Sequence, residues 1–321
     1  MTEQSRSTPE PQRAPGRRLA AAGGVLAVAA VLAGIGGIGA SWPVADHARL
    51  QLLHLVEPAP RPLSMWPKGP VLARAIARGS LIVGVRTYPR PAPPEAPTPP
   101  EPDDFDATLA RELAKSLGVR IELVGLAPEA RDAALRNGTV DLLIAGVAED
   151  APAPQAPGAG IAAAPGSYDT GRGLVVALRR GQVQDASALR GASVCVGEGS
   201  GYAGAVAQRY GAQPHSYPSS VHAASAFMAG ECAALAEDGE VLERLMQNEE
   251  WRFYKPLATG LRPPSDAAVR LAEGDAASRD YIAAALRQWR ADGTLAQARS
   301  ARAGNLQFEI TLLKDGLVCH S

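Results

Sequence analysis

From residue 71 onward the chain alternates short apolar runs with segments whose apolar positions recur at helical spacing. Val71–Arg78 reads as a short helix and Leu81–Val85 as a buried strand. Asp104 is placed to cap a helix in which Phe105, Leu109, Leu113 and Leu117 recur every four residues. Val119–Val124 then reads as a strand, Pro128–Asn137 as a helix closed by Gly138, and Val140–Ala145 as a strand. This βαβαβ order with short connections predicts a parallel sheet flanked by helices.

The alternation resumes with strands at Gly173–Leu178 and Ser193–Val196, a helix at Gly201–Tyr210 and a strand at Ala212–Tyr217. Ser219 caps a helix reaching about Ala229, Cys232–Ala236 is a strand, and Ala267–Leu271 another. Helices are expected at Ser278–Arg290 and Thr294–Arg299, and Leu306–Val318 has a strand-like composition. Two α/β units in tandem follow. Ligands of such sheets sit beyond the carboxyl ends of strands, which directs attention to the loops after Val85, Ala145, Val196 and Ala236.

Two stretches break the pattern. Pro89–Pro102 is dense in proline and is expected as extended, unpaired loop, and Asp150–Pro165 is low in complexity. At the other end, residues 1–18 form a polar segment ending in Arg17-Arg18, and Leu19–Ala40 is apolar and uncharged. At about 1.5 Å per residue that run reaches across a bilayer core of roughly 30 Å. The basic flank keeps the N-terminal end in the cytoplasm and sends the remainder outside. The same run also suits a signal segment, with Gly39-Ala40-Ser41 offering a processing site near Ala40. Residues 41–70 form a proline-punctuated stalk.

Composition narrows the function. A net charge of −1 with dispersed Lys and Arg gives no case for nucleic acid. The histidines and cysteines have no metal-ligand spacing, so no metal or cofactor is expected. With no nucleophile elbow and no phosphate loop, no catalytic residues are assigned.

Seven segments in order resemble family 3 of the bacterial extracellular solute-binding proteins, the polar amino-acid receptors of ABC importers. They are LIVGVRTYP at 81–89, DFDATLARELAKSLGVRIELV at 104–124, LRNGTVDLLIAGV at 135–147, SYDTGRGLVVALRRG at 167–181, LRGASVCVGEGSG at 189–201, AGECAALAED at 229–238 and YIAAALRQWRADGTLAQ at 281–297. The resemblance implies a periplasmic-binding-protein-like α/β fold of two lobes joined by a hinge. Lobe 1 would comprise 71–177 and 260–301 and lobe 2 residues 178–259, leaving 302–321 as a C-terminal extension. It also implies a periplasmic protein, anchored in the inner membrane by residues 19–40 or released after cleavage. Such a protein is expected to act as a monomer, holding a small polar solute, an amino acid or related amine, for an inner-membrane permease complex.

The same resemblance implies the site. Tyr88 matches the aromatic that packs on the ligand side chain, and Asp238 the carboxylate that grips an ammonium; Asp238 is equally suited to cap a helix. Gly146 ends a strand beside the cleft, Thr170 lies in the lobe-crossing segment, and the Gly199–Gly201 loop places Ser200 and Gly201 where backbone N–H groups receive a carboxylate. A bare turn explains the same glycines. The family's carboxylate clamp, a Thr two residues after the strand-end Gly and an Arg five further on, is replaced here by Ala148 and Ala153. Alanine supplies no planar guanidinium, so Arg86 or Arg172 is the candidate carboxylate contact. Cys195 and Cys232 match paired cysteines of related receptors and are expected as a disulfide, with two buried free thiols as the alternative. Two other functions stay open: a tethered docking protein with an eroded cleft, and a dehydratase-like enzyme in which Glu198 would serve as acid or base.

Overall fold

The computed structural model describes residues 61–88, 99–147, 160–169, 171–263 and 267–318. In chain order these form α1 (Pro70–Arg78), β1 (Ser80–Val85), the short β2 (Thr87–Tyr88) and β3 (Glu101–Pro102), α2 (Asp104–Leu117), β4 (Arg120–Gly125), α3 (Pro128–Arg136), β5 (Leu142–Ile144) and β6 (Ile161–Ala163). There follow β7 (Gly173–Leu178), β8 (Ser193–Gly197), α4 (Tyr202–Tyr210), β9 (Gln213–Tyr217), α5 (Ser220–Met228), β10 (Ala234–Asp238), α6 (Gly239–Leu245) and β11 (Tyr254–Leu261). Last come β12 (Arg270–Ala272), α7 (Ala276–Ala291) and α8 (Thr294–Val318).

Two five-stranded sheets result, ordered β4-β1-β5-β12-β6 and β11-β7-β10-β8-β9. The expected parallel pairing holds for β1 with β4 and β5, and for β8 with β9 and β10. Both sheets are nevertheless mixed, because β12 runs antiparallel to β5 and β6, and β7 antiparallel to β10 and β11. Strand β11 went unpredicted; Pro256 and Gly260 interrupt its pattern, and it pairs with β7 alone at the sheet edge, where proline is tolerated.

Local chemistry explains the boundaries. Helix α1 opens on Pro70 and closes on Gly79 in the left-handed conformation. Helix α2 is capped by Asp103 rather than the expected Asp104: the Asp103 carboxylate accepts from the N–H groups of Phe105 and Asp106. Its apolar face joins α1 and α7 over the first sheet, around Leu72, Leu81, Phe105, Leu109, Leu142 and Tyr281. The second sheet is covered on one face by Val221, Phe227, Leu242 and Trp251, and on the other by Leu189, Tyr202 and Val206.

Four expectations are corrected. Leu306–Val318 is not a strand but the continuation of α8; Ala303, Leu306 and Ile310 fall at helical spacing and pack into the second sheet's core, which outweighs local β-propensity. Glu101–Pro102 is paired, with Thr87–Tyr88. Ile161–Ala163, inside the low-complexity stretch, forms β6 against β12. Cys195 in β8 is bonded to Cys232, which lies just before β10 rather than within it.

Candidate functional site

The loops after β1, β5 and β8 and the carboxyl end of β10 converge between the two sheets. They bring together Arg86, Gly146, Val147, Gly199, Ser200, Glu237 and Asp238, with Asp169, Tyr202, Ala267 and Arg302 completing the lining. The cavity they enclose is about 20 Å³, room for a water or two rather than an amino acid.

Charge fills the rest. Arg86, only 4% exposed, forms a bidentate pair with Asp106 (Nε–Oδ2 2.6 Å, Nη2–Oδ1 2.9 Å) and reaches Asp103 Oδ1 at 3.3 Å. Its Nη1 donates to the Gly199 carbonyl of the second sheet's loop at 3.2 Å. Arg302 lies between Asp103 (Nε–Oδ2 3.4 Å) and Glu237 (Nη1–Oε1 3.9 Å), and Arg299 between Asp238 (Nη2–Oδ2 3.5 Å) and Asp169 (Nε–Oδ1 3.8 Å). Five carboxylates thus face three guanidiniums, a surplus of two negative charges.

These groups shift one another. Burial pushes the Asp238 carboxyl up to about 6, against the pull of Arg299. It raises Asp106 likewise to about 6, against Arg86. For Asp103 burial acts upward too, but Arg86 and Arg302 together overcome it and hold the carboxyl below its usual range. Both groups near 6 are predominantly ionised at neutral pH. Glu237 is 2% exposed, and its Oε2 has no hydrogen-bond partner among the described residues.

The sequence model of the bacterial extracellular solute-binding proteins, family 3, matches residues 81–301. The chain belongs to that family. No curated protein sequence matches it. Among solved structures, an amino acid ABC transporter substrate-binding protein of Streptococcus pneumoniae bound to L-arginine is similar at 17% identity and a TM-score of 0.54, over 73% of this chain and 98% of that one. An ancestral amino acid-binding protein, a precursor of cyclohexadienyl dehydratase, is similar at 19% identity and a TM-score of 0.51, over 71% and 96%. A mutant of the Thermotoga maritima protein ArgBP is similar at 16% identity and a TM-score of 0.50, again over 71% and 96%. The similarities support the α/β periplasmic-binding-protein fold, and membership in the family implies a solute-binding role outside the cytoplasm. Residues 19–40 lie outside the described residues, among which no helix is long and apolar enough to cross a membrane.

In this solute-binding protein the expected site residues divide into several groups. Gly146 lies at the centre, with φ +69°; a Cβ there would meet the Gly199 carbonyl at 2.6 Å and the Arg86 guanidinium at 2.8 Å. The Gly146 N–H donates to Tyr168 Oη, whose hydroxyl reaches Asp106 Oδ1 at 3.3 Å. Ser200 lines the space but donates its hydroxyl to the Gly197 carbonyl. Asp238 lines the space, and its carboxylate caps α6 by accepting from Glu240 N–H, the helix-cap alternative.

Other residues fall elsewhere. Tyr88 lies in a neighbouring groove with Asp104, Ser219, Arg302 and Asn305. Gly201 is the N-terminal cap of α4 at φ +75°, packed near Val147 and Pro263. Arg172 contributes its carbonyl to Gly239 N–H, and its guanidinium is not part of the lining. Thr170, Ala148 and Ala153 are outside the described residues. Arg86 is committed to Asp103 and Asp106, and Glu198 is exposed and not part of the lining.

Sequence reading passed over Asp103, Asp106, Glu237, Arg299 and Arg302. Asp106 offered one signal, a charged residue next to Phe105 in the stripe that packs on the sheet; a buried carboxylate there demands a partner cation.

Proposed function

We propose that this solute-binding protein captures a small solute carrying a cationic nitrogen in the cleft between its sheets and delivers it, as a monomer, to an inner-membrane ABC-type importer. One observation carries the reading: the buried Glu237 carboxylate, with Oε2 unpartnered among the described residues, beside Asp238 in a cleft of net negative charge. An ammonium or guanidinium group supplies a donor for Oε2 and a charge opposite to the cleft's surplus. The missing clamp and the engaged Arg86 leave little for a ligand carboxylate, so amines and guanidines without one fit better than α-amino acids. Glu198, the acid or base expected for a dehydratase-like enzyme, is exposed and outside the lining, which favours capture over conversion. Residues 19–40 supply the tether, and hinge closure over the solute follows from contacts made to both sheets at once.

The test is thermal unfolding of the purified full chain against agmatine, putrescine, L-arginine, L-glutamate and acetate. A binding solute at a hundredfold excess over its dissociation constant adds about 2.7 kcal/mol of stability. The cations are expected to raise the midpoint, and Glu237→Gln to abolish the rise. A second reading, a docking protein whose cleft no longer binds solute, is favoured by the protein's own arginines filling the space; it replaces the first if no cation shifts the midpoint.

A further inference from the structure

Helix α8 is rooted in both halves of the molecule. Leu295 and Ala298, in its first turns, belong to the core of the first sheet, with Leu286 and Trp289 of α7. Ala303, Leu306 and Ile310, in the next turns, belong to the core of the second, against Val221, Leu242 and Leu245. The two sets are separated by only about 7 Å of helix at 1.5 Å per residue. A continuous helix embedded in two cores opposes their separation: a rotation that opens the cleft must pull Ala303, Leu306 and Ile310 out of the second core or bend the helix between them.

The polar face of the same helix fills the cleft. Arg302 bridges Asp103 of the first sheet's helix and Glu237 of the second sheet's β10, and Arg299 bridges Asp169 and Asp238. Asn305 donates to Asp104 at 2.8 Å, while Arg244 of α6 donates to Ser300 at 2.6 Å. These are contacts to both sides at once, made by two guanidiniums, which is how a bound cation would draw the sides together. The match to the family ends at residue 301, so Arg302 and the whole portion docked in the second core lie beyond it.

We propose that α8 is a built-in bolt: it holds the cleft closed without solute, with Arg302 and Arg299 as resident cations, so that helix docking and solute capture exclude each other. The inference extends the cation reading above to its regulation and rests on it only for the identity of the competitor.

The test uses the full chain with Cys319→Ser and spin labels at Glu129→Cys and Gln208→Cys, exposed positions on opposite halves, with the interlabel distance measured without solute. The parent protein is expected to give one short, narrow distance. Leu306→Ala/Ile310→Ala, which undocks the helix without touching a cleft carboxylate, and Arg299→Gln/Arg302→Gln, which removes the resident cations, are each expected to lengthen and broaden it. Both are also expected to bind agmatine about tenfold tighter or more, as removal of an internal competitor requires. An open distance in the parent, or a parent-like distance in either correctly folded variant, overturns the bolt. Because the variants break different contacts, misfolding of one leaves the other decisive. Variants that open but bind no cation uphold the bolt and remove the cation reading; variants that bind while staying closed do the reverse.

Discussion

The role of Arg86 separates two accounts of the cleft. If it is a ligand contact, its loss leaves the solute-free fold nearly untouched. If it is the counter-ion of Asp103 and Asp106, its loss strands two buried carboxylates. The geometry supports the second: a bidentate pair at 2.6 and 2.9 Å, a further carboxylate at 3.3 Å and a carbonyl at 3.2 Å, all around a side chain only 5% exposed. Removing one partner of such a buried pair costs about 3–5 kcal/mol, because the remaining charge is uncompensated. Arg302 still faces Asp103, so the burden falls on Asp106, which is fully buried and keeps only long bonds, from the Tyr168 hydroxyl at 3.3 Å and the Arg86 backbone N–H at 3.5 Å, among the described residues. Arg86→Met should therefore lose about 3–5 kcal/mol in urea unfolding at pH 7, a large fraction of an ordinary domain's stability. With the guanidinium gone, the Asp106 carboxyl rises further, and the native state takes up a proton that the unfolded chain at the same pH does not hold. The deficit must then shrink as pH is lowered from 7 to 5. Arg86→Met/Asp106→Asn should recover much of the loss at pH 7. A loss below about 1 kcal/mol, or one independent of pH, would refute the counter-ion account.

Other predictions follow from the same contacts. Cys195→Ser/Cys232→Ser opens a link between residues 37 apart and should lower stability by roughly 3–4 kcal/mol in chemical unfolding, the loop-closure entropy the bond removes from the unfolded chain. Asp238 has a folded carboxyl at about 6 against an ordinary 3.8, so its ionisation destabilises the fold as pH rises between those values. Asp238→Asn keeps a capping oxygen for α6, and should remove that pH dependence, up to about 3 kcal/mol, from the unfolding profile between pH 4 and 7. Gly173→Ala would place a Cβ 2.4 Å from the Tyr202 ring and should cost about 1–3 kcal/mol in thermal unfolding.

How much the sequence disclosed depends on the range of the interactions involved. The strand ends bordering the cleft were legible, since Leu81–Val85 and Val194–Val196 are short runs without a polar side chain, followed by Arg86 and Gly197, and the segments beyond them meet at the cleft. Gly146 was found for the right place, and its reason emerged only with the Gly199 carbonyl 2.6 Å from where a Cβ would stand. The disulfide expected from the resemblance links β8 to Cys232, just ahead of β10, the strand paired with it. What was illegible is non-local. Arg302 meets Asp103 across 199 residues, and no local pattern pairs them. Helix α8 was missed beyond Arg299 because Phe308, Ile310 and Thr311 have strand preferences, which docking of Ala303, Leu306 and Ile310 overrides. Local composition also hid β11, whose proline and glycine are admissible only because one side of the strand is an edge.

If the cleft recognises a cationic nitrogen through Glu237, titration calorimetry of the full chain with agmatine must register it. Stoichiometric binding at pH 7 that is lost in Glu237→Gln and weakened at pH 5, where Asp238 is mostly protonated, is the predicted result. Equal binding by Glu237→Gln, or no heat from agmatine, putrescine or L-arginine with the folded protein, would contradict the claim.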